Sequence, residues 1–543
     1  MSGFQELFGD LRSLVNQEQP DSEAIWNILK TMAEESPDQF KTEVAEGYLP
    51  GLIVRLTEPL HQCNSLGELE EVCEILSLPV FSLRLYKKIG DEGARDLARS
   101  PHLSNLTTLV LQVNEIKKGG VKALANSPYL SNLISLDLSG NEIGEEGAKA
   151  LAQTPHLSNL MYLHLSGNKL RDEGVRELAN SPHLSNLKEL NLSGNKLRDE
   201  GVKALADSPH LRNLTSLCLK YNYIGEEGAK ALVNSPNLSN LTYLDLSHNG
   251  LKKGGAKALV NSPHLSHLTT LILQGCWITG KGVKALVELP HLSHLTTLDL
   301  SENHTMNDGA KVLANSPYLN NLKELNLTHN KIKVRGIQAL AKSPNLSNLT
   351  SLDLSHNEIK KGGVKALAKS THLSNLKELN VSYNKLGDEG VRGLKESSHL
   401  SNLTSLNLRN NKIGDEGAHA LAKSPYLSNL TKLILEDNEI EDEGVRTLAA
   451  SPYLSNLTSL NLKNNKIEAE GFKALIDAPH LSNLTELDLR GNYIGDEGAK
   501  TLAASPFLSN LTELDLRLNL IGEEGAKELK KSPYLTNLTT LYV

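Results

Sequence analysis

Apolar residues fall along this chain in blocks that return every 27 positions, as from Asn114 to Asn141. In one block, Leu133 to Asn159, the residues Leu133, Leu136 and Leu138 precede Asn141, and Ile143 follows it. Leu136-Asp137-Leu138 alternates apolar with polar, the period of a half-buried strand. The block is too short to hold a hairpin partner, so the strand is expected to pair with its equivalents before and after it in one long parallel sheet. Next comes Gly144-Glu145-Glu146-Gly147-Ala148-Lys149-Ala150-Leu151-Ala152. Its acidic residues suit a helix N-terminus, and Ala148, Leu151 and Ala152 form an inner face. Pro155 stops the helix, and Leu157 fills the return to the next strand.

The frame is kept by asparagine at 114, 141, 168, 195, 222, 249, 303, 330, 357, 384, 411, 438, 465, 492 and 519, with Cys276 as the one substitute. A side-chain amide carries two donors and an acceptor. Buried in a tight turn, Asn141, Asn168, Asn195 and their equivalents are expected to bond backbone groups of their own and the neighbouring coil. Cys276 keeps part of that role. Six residues after each ladder position stands a glycine, Gly147 in the block above. Either a side chain there pushes adjacent coils apart, or the turn needs special backbone angles. A repeat of this kind predicts a solenoid whose units cannot fold alone.

The quoted pattern Leu-x-x-Leu-x-Leu-x-x-Asn-x-Ile/Leu, followed by Gly-Asp-Glu-Gly-Ala-Lys-Ala-Leu-Ala, resembles the ribonuclease-inhibitor-like class of leucine-rich repeats. The short unit and the Ala-Asn-Ser-Pro-His-Leu link are similar to cytosolic bacterial arrays of that class. The resemblance covers about residues 81–543. It implies an α/β solenoid, a curved horseshoe with the parallel sheet on the concave face and helices on the convex face. Such folds serve as inhibitors, sensors, effectors and scaffolds, so the resemblance defines a fold before a function.

Residues 1–80 differ. They hold 15 Asp+Glu and 4 Lys+Arg, a balance of 4 − 15 = −11, whereas the rest has 52 Lys+Arg against 49 Asp+Glu, +3. Phe4 to Val15, Ala24 to Glu34, Gln39 to Leu56 and Leu66 to Leu76 read as amphipathic helices, with Trp26, Ile28 and Leu29 as core. An acidic all-α cap over the first coil is expected, with a separate adaptor module as the alternative. The first unit, near Leu83 and Ile89, is one residue short. The array stops at Leu541-Tyr542-Val543, inside a strand. Either the last coil tolerates exposure, or it pairs with another chain as an end-to-end homodimer, or a longer protein continues.

The charge balance gives no whole-protein basic field for nucleic acid. The start lacks the pattern of a secretory leader, no apolar run is long enough to span a membrane, and Cys63, Cys73, Cys218 and Cys276 lack metal-ligand spacing. A cytoplasmic protein with free thiols is expected. Asn-Leu-Thr, as at Asn213, matches a glycosylation sequon but reads as a turn entering a strand. Histidines of the Ser-Pro-His-Leu link (His102, His156, His183, His210 and others) give way to Tyr129, Asn237 and Phe507 elsewhere, so they are packing residues rather than metal ligands. No phosphate-binding glycine loop or nucleophile elbow occurs. Neither catalysis nor a cofactor is expected.

Alternate strand residues should face the concave side. Four residues before each asparagine stands a ladder of acids and amides, including Asp137, His164, Asp245, Asp353, Asp488 and Asp515. Two before, serine and threonine give way to Arg409, Glu436, Lys463, Arg490 and Arg517, beside Glu486 and Glu513 six before. These charges either pair across strands or form a recognition strip for acidic groups of a protein. Tyr221, Tyr243 and His248 make a second, aromatic patch. Cys276-Trp277, with Thr305 replacing an aliphatic residue one coil later, is either a local packing defect or a bulge presenting Trp277 as an anchor. The leading expectation is a non-enzymatic recognition module or scaffold binding a protein in its concave face. The alternatives are a regulatory or targeting fragment of an enzyme or sensor, and a passive spacer.

Overall fold

The computed structural model describes residues 82–85, 88–260, 264–287, 290–506 and 508–543. The expected helical cap with Trp26, Cys63 and Cys73, and also Phe507, lies outside these described residues. They form two compact units. One runs to Gly250 and includes Asn261–His267; the other comprises Leu251–Val260 and Leu268–Val543.

The first unit carries seven short parallel strands: β1 (Ser82–Arg84), β2 (Thr108–Val110), β3 (Ser135–Asp137), β4 (Tyr162–His164), β5 (Glu189–Asn191), β6 (Ser216–Cys218) and β7 (Tyr243–Asp245). Each pairs with the next in unbroken register, Leu83 with Leu109, Leu109 with Leu136 and so on to Leu244. The β1–β2 step is one residue short, as the spacing predicts. Six helices accompany them among the described residues, Gly144–Gln153 being typical.

The second unit continues the same design with β8 (Thr270–Ile272), β9 (Thr297–Asp299), β10 (Glu324–Asn326), β11 (Ser351–Asp353), β12 (Glu378–Asn380), β13 (Ser405–Asn407), β14 (Lys432–Ile434), β15 (Ser459–Asn461), β16 (Glu486–Asp488), β17 (Glu513–Asp515) and β18 (Thr540–Tyr542). All are parallel and in register.

In both units the core is the space between strand and helix. Leu136, Leu138, Ile143, Ala148, Leu151 and Leu157 are all buried. Each side chain of this size contributes about 1.5–3 kcal/mol on full burial, and only neighbouring coils can complete that burial.

Four ladders of polar bonds tie coil to coil. In the first, Asn195 Nδ2 donates to Leu165 O at 2.8 Å and Ser193 O at 3.2 Å. Its Oδ1 accepts from Asn168 N–H at 3.0 Å and Leu170 N–H at 3.2 Å. Asn141 and Asn168 likewise bond backbone groups of their own and the preceding coil. In the second, the link serine or threonine donates to the helix end of the preceding coil, as Ser127 Oγ does to Ala98 O at 2.6 Å. In the third, the sequon-like asparagine bridges coils, Asn213 Nδ2 donating to Ser185 O at 2.8 Å. The fourth runs from helix to helix. Asp172 Oδ1 accepts from Arg198 N–H at 2.7 Å and Gly201 N–H at 3.0 Å, capping the helix of the following coil rather than its own.

That fourth ladder explains many of the repeat glycines. A Cβ on Gly201 would lie 2.6 Å from Asp172 Oδ1, and one on Gly228 would lie 2.6 Å from Asp199 Oδ1. Gly147 has another reason, since its Cβ would meet Ile143 Cβ of its own coil at 2.8 Å. The alternative of special backbone angles fails there, because Gly147 is not among the positive-φ residues. Helix and strand-exit residues are simply too close for a side chain.

Candidate protein-recognition surface

The solvent face of each sheet is built from the columns that alternate with buried leucines. In the acid-and-amide column, each Oδ1 turns back to the N–H two residues on. Asp137 Oδ1 accepts from Ser139 N–H at 2.9 Å, Asn191 from Ser193 at 3.0 Å, Asp353 from Ser355 at 2.8 Å, and Asp488 from Arg490 at 3.0 Å. A short side chain with a carbonyl oxygen is what this turn needs, so Asp and Asn interchange. The column is part of the strand exit.

His164 is held between two carboxylates, Nε2 at 3.0 Å from Glu189 Oε1 and Nδ1 at 3.7 Å from Asp137 Oδ2. The Asp137 carboxylate raises its pKa above the ordinary imidazole value against the opposing effect of burial, and Glu189 adds to the rise. Burial pushes Asp137 up, but bonds from His164, Ser139 and Gln112 outweigh it and leave its pKa lowered.

The basic residues expected to form a recognition strip already have partners for the most part. Arg409 sits on Asp437, Nε to Oδ2 at 2.9 Å, and on buried Glu436 at 3.2 Å. Lys463 Nζ is 2.6 Å from the same Glu436. Arg517 Nε donates to Asp515 Oδ1 at 2.9 Å, and its guanidinium carbon lies 4.4 Å from the Tyr542 ring centroid. Arg490 alone of the four makes no ion pair among the described residues, nor do Glu486 and Glu513, which lie directly opposite each other on β16 and β17. Charge pairing across and along strands therefore accounts for Arg409, Lys463 and Arg517.

The aromatic patch divides. Tyr221 and His248 stack, centroids 4.2 Å apart and planes 4° from parallel. Tyr243 is elsewhere, at the start of β7 on the strand face. Burial, with Asp245 and Cys218 beside it, pushes its phenol up to about 12.

Trp277 is exposed, with an edge-on contact to His304 at 6.0 Å. It is not on a bulge. Its φ of +60° is the ordinary value at this repeat position, shared by Lys169 and Lys412. The Thr279–His304 bridge matches Lys117–Glu142, so the frame passes through unshifted. Cys276 is buried, and its thiol reaches Gln274 O of its own coil at 3.6 Å. Thr305, also buried, answers by bonding Asn330 Oδ1 through its hydroxyl.

Tyr221 and His248 belong to a column that stands one residue before each ladder asparagine, which the sequence-based expectations named only at those two places. Among the described residues it lies in the left-handed region throughout, from Val113 to Leu518, and is glycine at Gly140, Gly167, Gly194, Gly275 and Gly491. In three successive coils it holds rings. His329 stacks on His356 at 3.9 Å and 16°, and His356 on Tyr383 at 3.9 Å and 12°. Arg409 closes the row, its guanidinium carbon 5.3 Å from the Tyr383 centroid. The available signal was the spread of residue types at this position, from glycine to tyrosine.

These features define a class: a parallel α/β solenoid whose invariant polar residues serve the stack, leaving variable side chains on strand face and rim. Leucine Rich repeat models match sixteen consecutive segments between residues 102 and 530, so the chain belongs to the leucine-rich repeat family. Among solved structures, an internalin from Listeria monocytogenes is 24% identical, with a TM-score of 0.40, over 73% of this chain and 93% of its own. A TLR13–ssRNA13 complex is 22% identical with a TM-score of 0.46, over 86% and 70%. A Leptospira interrogans LRR protein is 22% identical with a TM-score of 0.39, over 82% and 97%. Among curated proteins nothing matches. The family supports a protein-interaction module. Among the described residues, no helix is long and apolar enough to cross a membrane, and no group of three or more His, Cys, Asp or Glu side chains is placed to hold a metal.

Proposed function

We propose that the chain is a non-enzymatic recognition module that binds a protein partner on the solvent face of its strands. This is the concave face in the arrays it resembles. The observation that supports it is a groove of about 230 Å³ on the face of β14–β17, with Lys432 and Ile434 at one side and the Glu486–Glu513 pair at the other. Its backbone is fixed by the sheet register before any partner arrives, so little backbone entropy is lost on binding. Glu486 and Glu513 are exposed and directly opposed, an arrangement that disfavours the free face and that a partner's cationic group relieves. The cytoplasmic placement expected from its thiols belongs to the same proposal.

Affinity capture from the native host's lysate tests it with three baits. These are the intact chain, a strand-face variant (Glu486→Lys with Glu513→Lys) and a helix-face variant (Lys257→Glu with Lys311→Glu). A stoichiometric protein lost only by the strand-face variant is the expected result. Loss only from the helix-face variant overturns the assignment.

A further inference from the structure

We propose that the rim of the coils from Asn330 to Asn411 is a docking surface for an extended acidic segment of a protein partner, gripped by the His329–His356–Tyr383 stack and by Lys331, Lys385 and Lys412. This rests on the reading of the chain as a protein-recognition module and adds a surface beside its strand face.

The rings are not required by the fold. Their backbone position is left-handed, at φ +55°, +52° and +56° for His329, His356 and Tyr383. Glycine fills the same place at no conformational cost in five other coils. Histidine tolerates the region moderately, and a bulky tyrosine is an outlier there. Three consecutive coils nonetheless carry rings, stacked at 3.9 Å. Local rules are broken in this way most often where a site is built.

The lysines supply the second observation. Two residues after this column position, three of the four coils place an exposed lysine in the left-handed region, Lys331, Lys385 or Lys412, and the fourth places Glu358. None of the three makes an ion pair among the described residues. At the same repeat position elsewhere, Lys169 pairs with Glu142 at 2.5 Å and Lys466 with Glu441 at 3.3 Å. In the remaining coil, Glu358 is met by Lys333 at 3.4 Å, which leaves the row a net cation. Arg409 at its end is already committed to Glu436 and Asp437 and serves as a fixed stop for the Tyr383 ring.

The edges of the stacked rings, flanked by ammonium groups, suit a chain carrying carboxylates and aromatic side chains. Coils repeat at the strand spacing of about 4.8 Å, which an extended segment can follow across several coils. Single-stranded nucleic acid would find the same rings and lysines. The rings are already stacked on one another at 3.9 Å, which leaves no space between them for bases, and the protein-interaction role of the family favours a peptide.

Fluorescence anisotropy with the purified full chain tests the proposal. The probes are a labelled peptide alternating Glu and Tyr, its Lys–Tyr counterpart and a single-stranded polyuridine oligonucleotide. One variant replaces the rings with asparagine (His329→Asn, His356→Asn, Tyr383→Asn), the residue that Asn410 and Asn464 already place at this position. The other removes the charges (Lys331→Gln, Lys385→Gln, Lys412→Gln). The Glu–Tyr peptide should bind in preference to both other probes and lose about tenfold or more in affinity in either variant, an order-of-magnitude expectation. The Glu486→Lys with Glu513→Lys variant should bind it as well as the intact chain does. Absence of peptide binding, binding by either rim variant as tight as by the intact chain, or preference for polyuridine overturns the rim assignment and leaves the strand-face reading standing. Loss of capture by the strand-face variant is a separate result, so the two readings can fail independently.

Discussion

Asp172 and Gly201 are 29 residues apart, and the carboxylate of the first accepts the N–H of the second at 3.0 Å. A Cβ on Gly201 would sit 2.6 Å from that same oxygen. The glycine is thus the space into which the preceding coil inserts its helix cap. Replacing glycine by alanine in a helix interior ordinarily stabilises by about 0.5–1 kcal/mol. Here the sign should reverse. Gly201→Ala is expected to lower stability by about 0.5–2 kcal/mol, the usual value of a cap, seen as a reduced urea midpoint. Asp172→Ala should cost a similar amount, and the double variant no more than the larger single one. Additive losses would separate the two residues.

Asn195 makes four bonds in a buried turn, two on each side of its amide. Asn195→Ala orphans these groups at about 1–3 kcal/mol for each one left unsatisfied, so hydrogen exchange should show opening centred on the coils of β4 and β5. Cys276 offers the reverse test. Cys276→Asn restores the amide to a frame that is otherwise unshifted and should raise the melting temperature. An unchanged or lower value would mean that the thiol has its own packing role.

His164 makes stability depend on pH. Its folded pKa is raised above the ordinary value by Asp137, with Glu189 adding to the effect. Its contribution is therefore complete below about pH 6.5, the unfolded value, and is lost as pH rises through the folded pKa. Asp137 works in the opposite window. Its pKa is lowered, so its contribution is present above the ordinary carboxylate value and is lost as pH falls through the folded one. Melting curves of the intact chain and His164→Gln should differ most below about pH 6 and converge in the alkaline range. A constant offset at all pH values would remove the ion pairs as the cause.

Glu436 is buried and shared by Arg409 and Lys463. Arg409→Ala alone leaves the lysine in place and should be mild. The double variant Arg409→Ala with Lys463→Ala strands the carboxylate and should cost roughly 1–3 kcal/mol beyond the sum of the single changes. A double-mutant cycle on the urea midpoint measures that excess, and simple additivity would contradict it.

Much of the fold was legible because period and chemistry agree. The leucines, the ladder asparagines and the glycine column each predict their place from one block alone. What stayed hidden depends on partners one coil away. Nothing in Gly-Asp-Glu-Gly reveals that the aspartate caps the next helix, and nothing in Ser-Pro-His-Leu shows that the serine bonds the preceding one. The charge row failed as a free strip for the same reason. Arg409 finds Glu436 and Asp437 through register, and only the folded sheet shows Arg490, Glu486 and Glu513 left over. Of the ring column only Tyr221 and His248 were legible; the His329–His356–Tyr383 row was missed because left-handed backbone, rather than hydrophobic period, defines it.

The central claim is that the variable strand-face side chains bind a protein. Covalent footprinting of carboxyl and amino groups, on the free chain and on its captured complex, tests it most directly. The account predicts that Glu486, Glu513 and Lys432 become protected while Lys257 and Lys311 on the helices react as before. Protection of the helix lysines with the strand-face groups unchanged would contradict it.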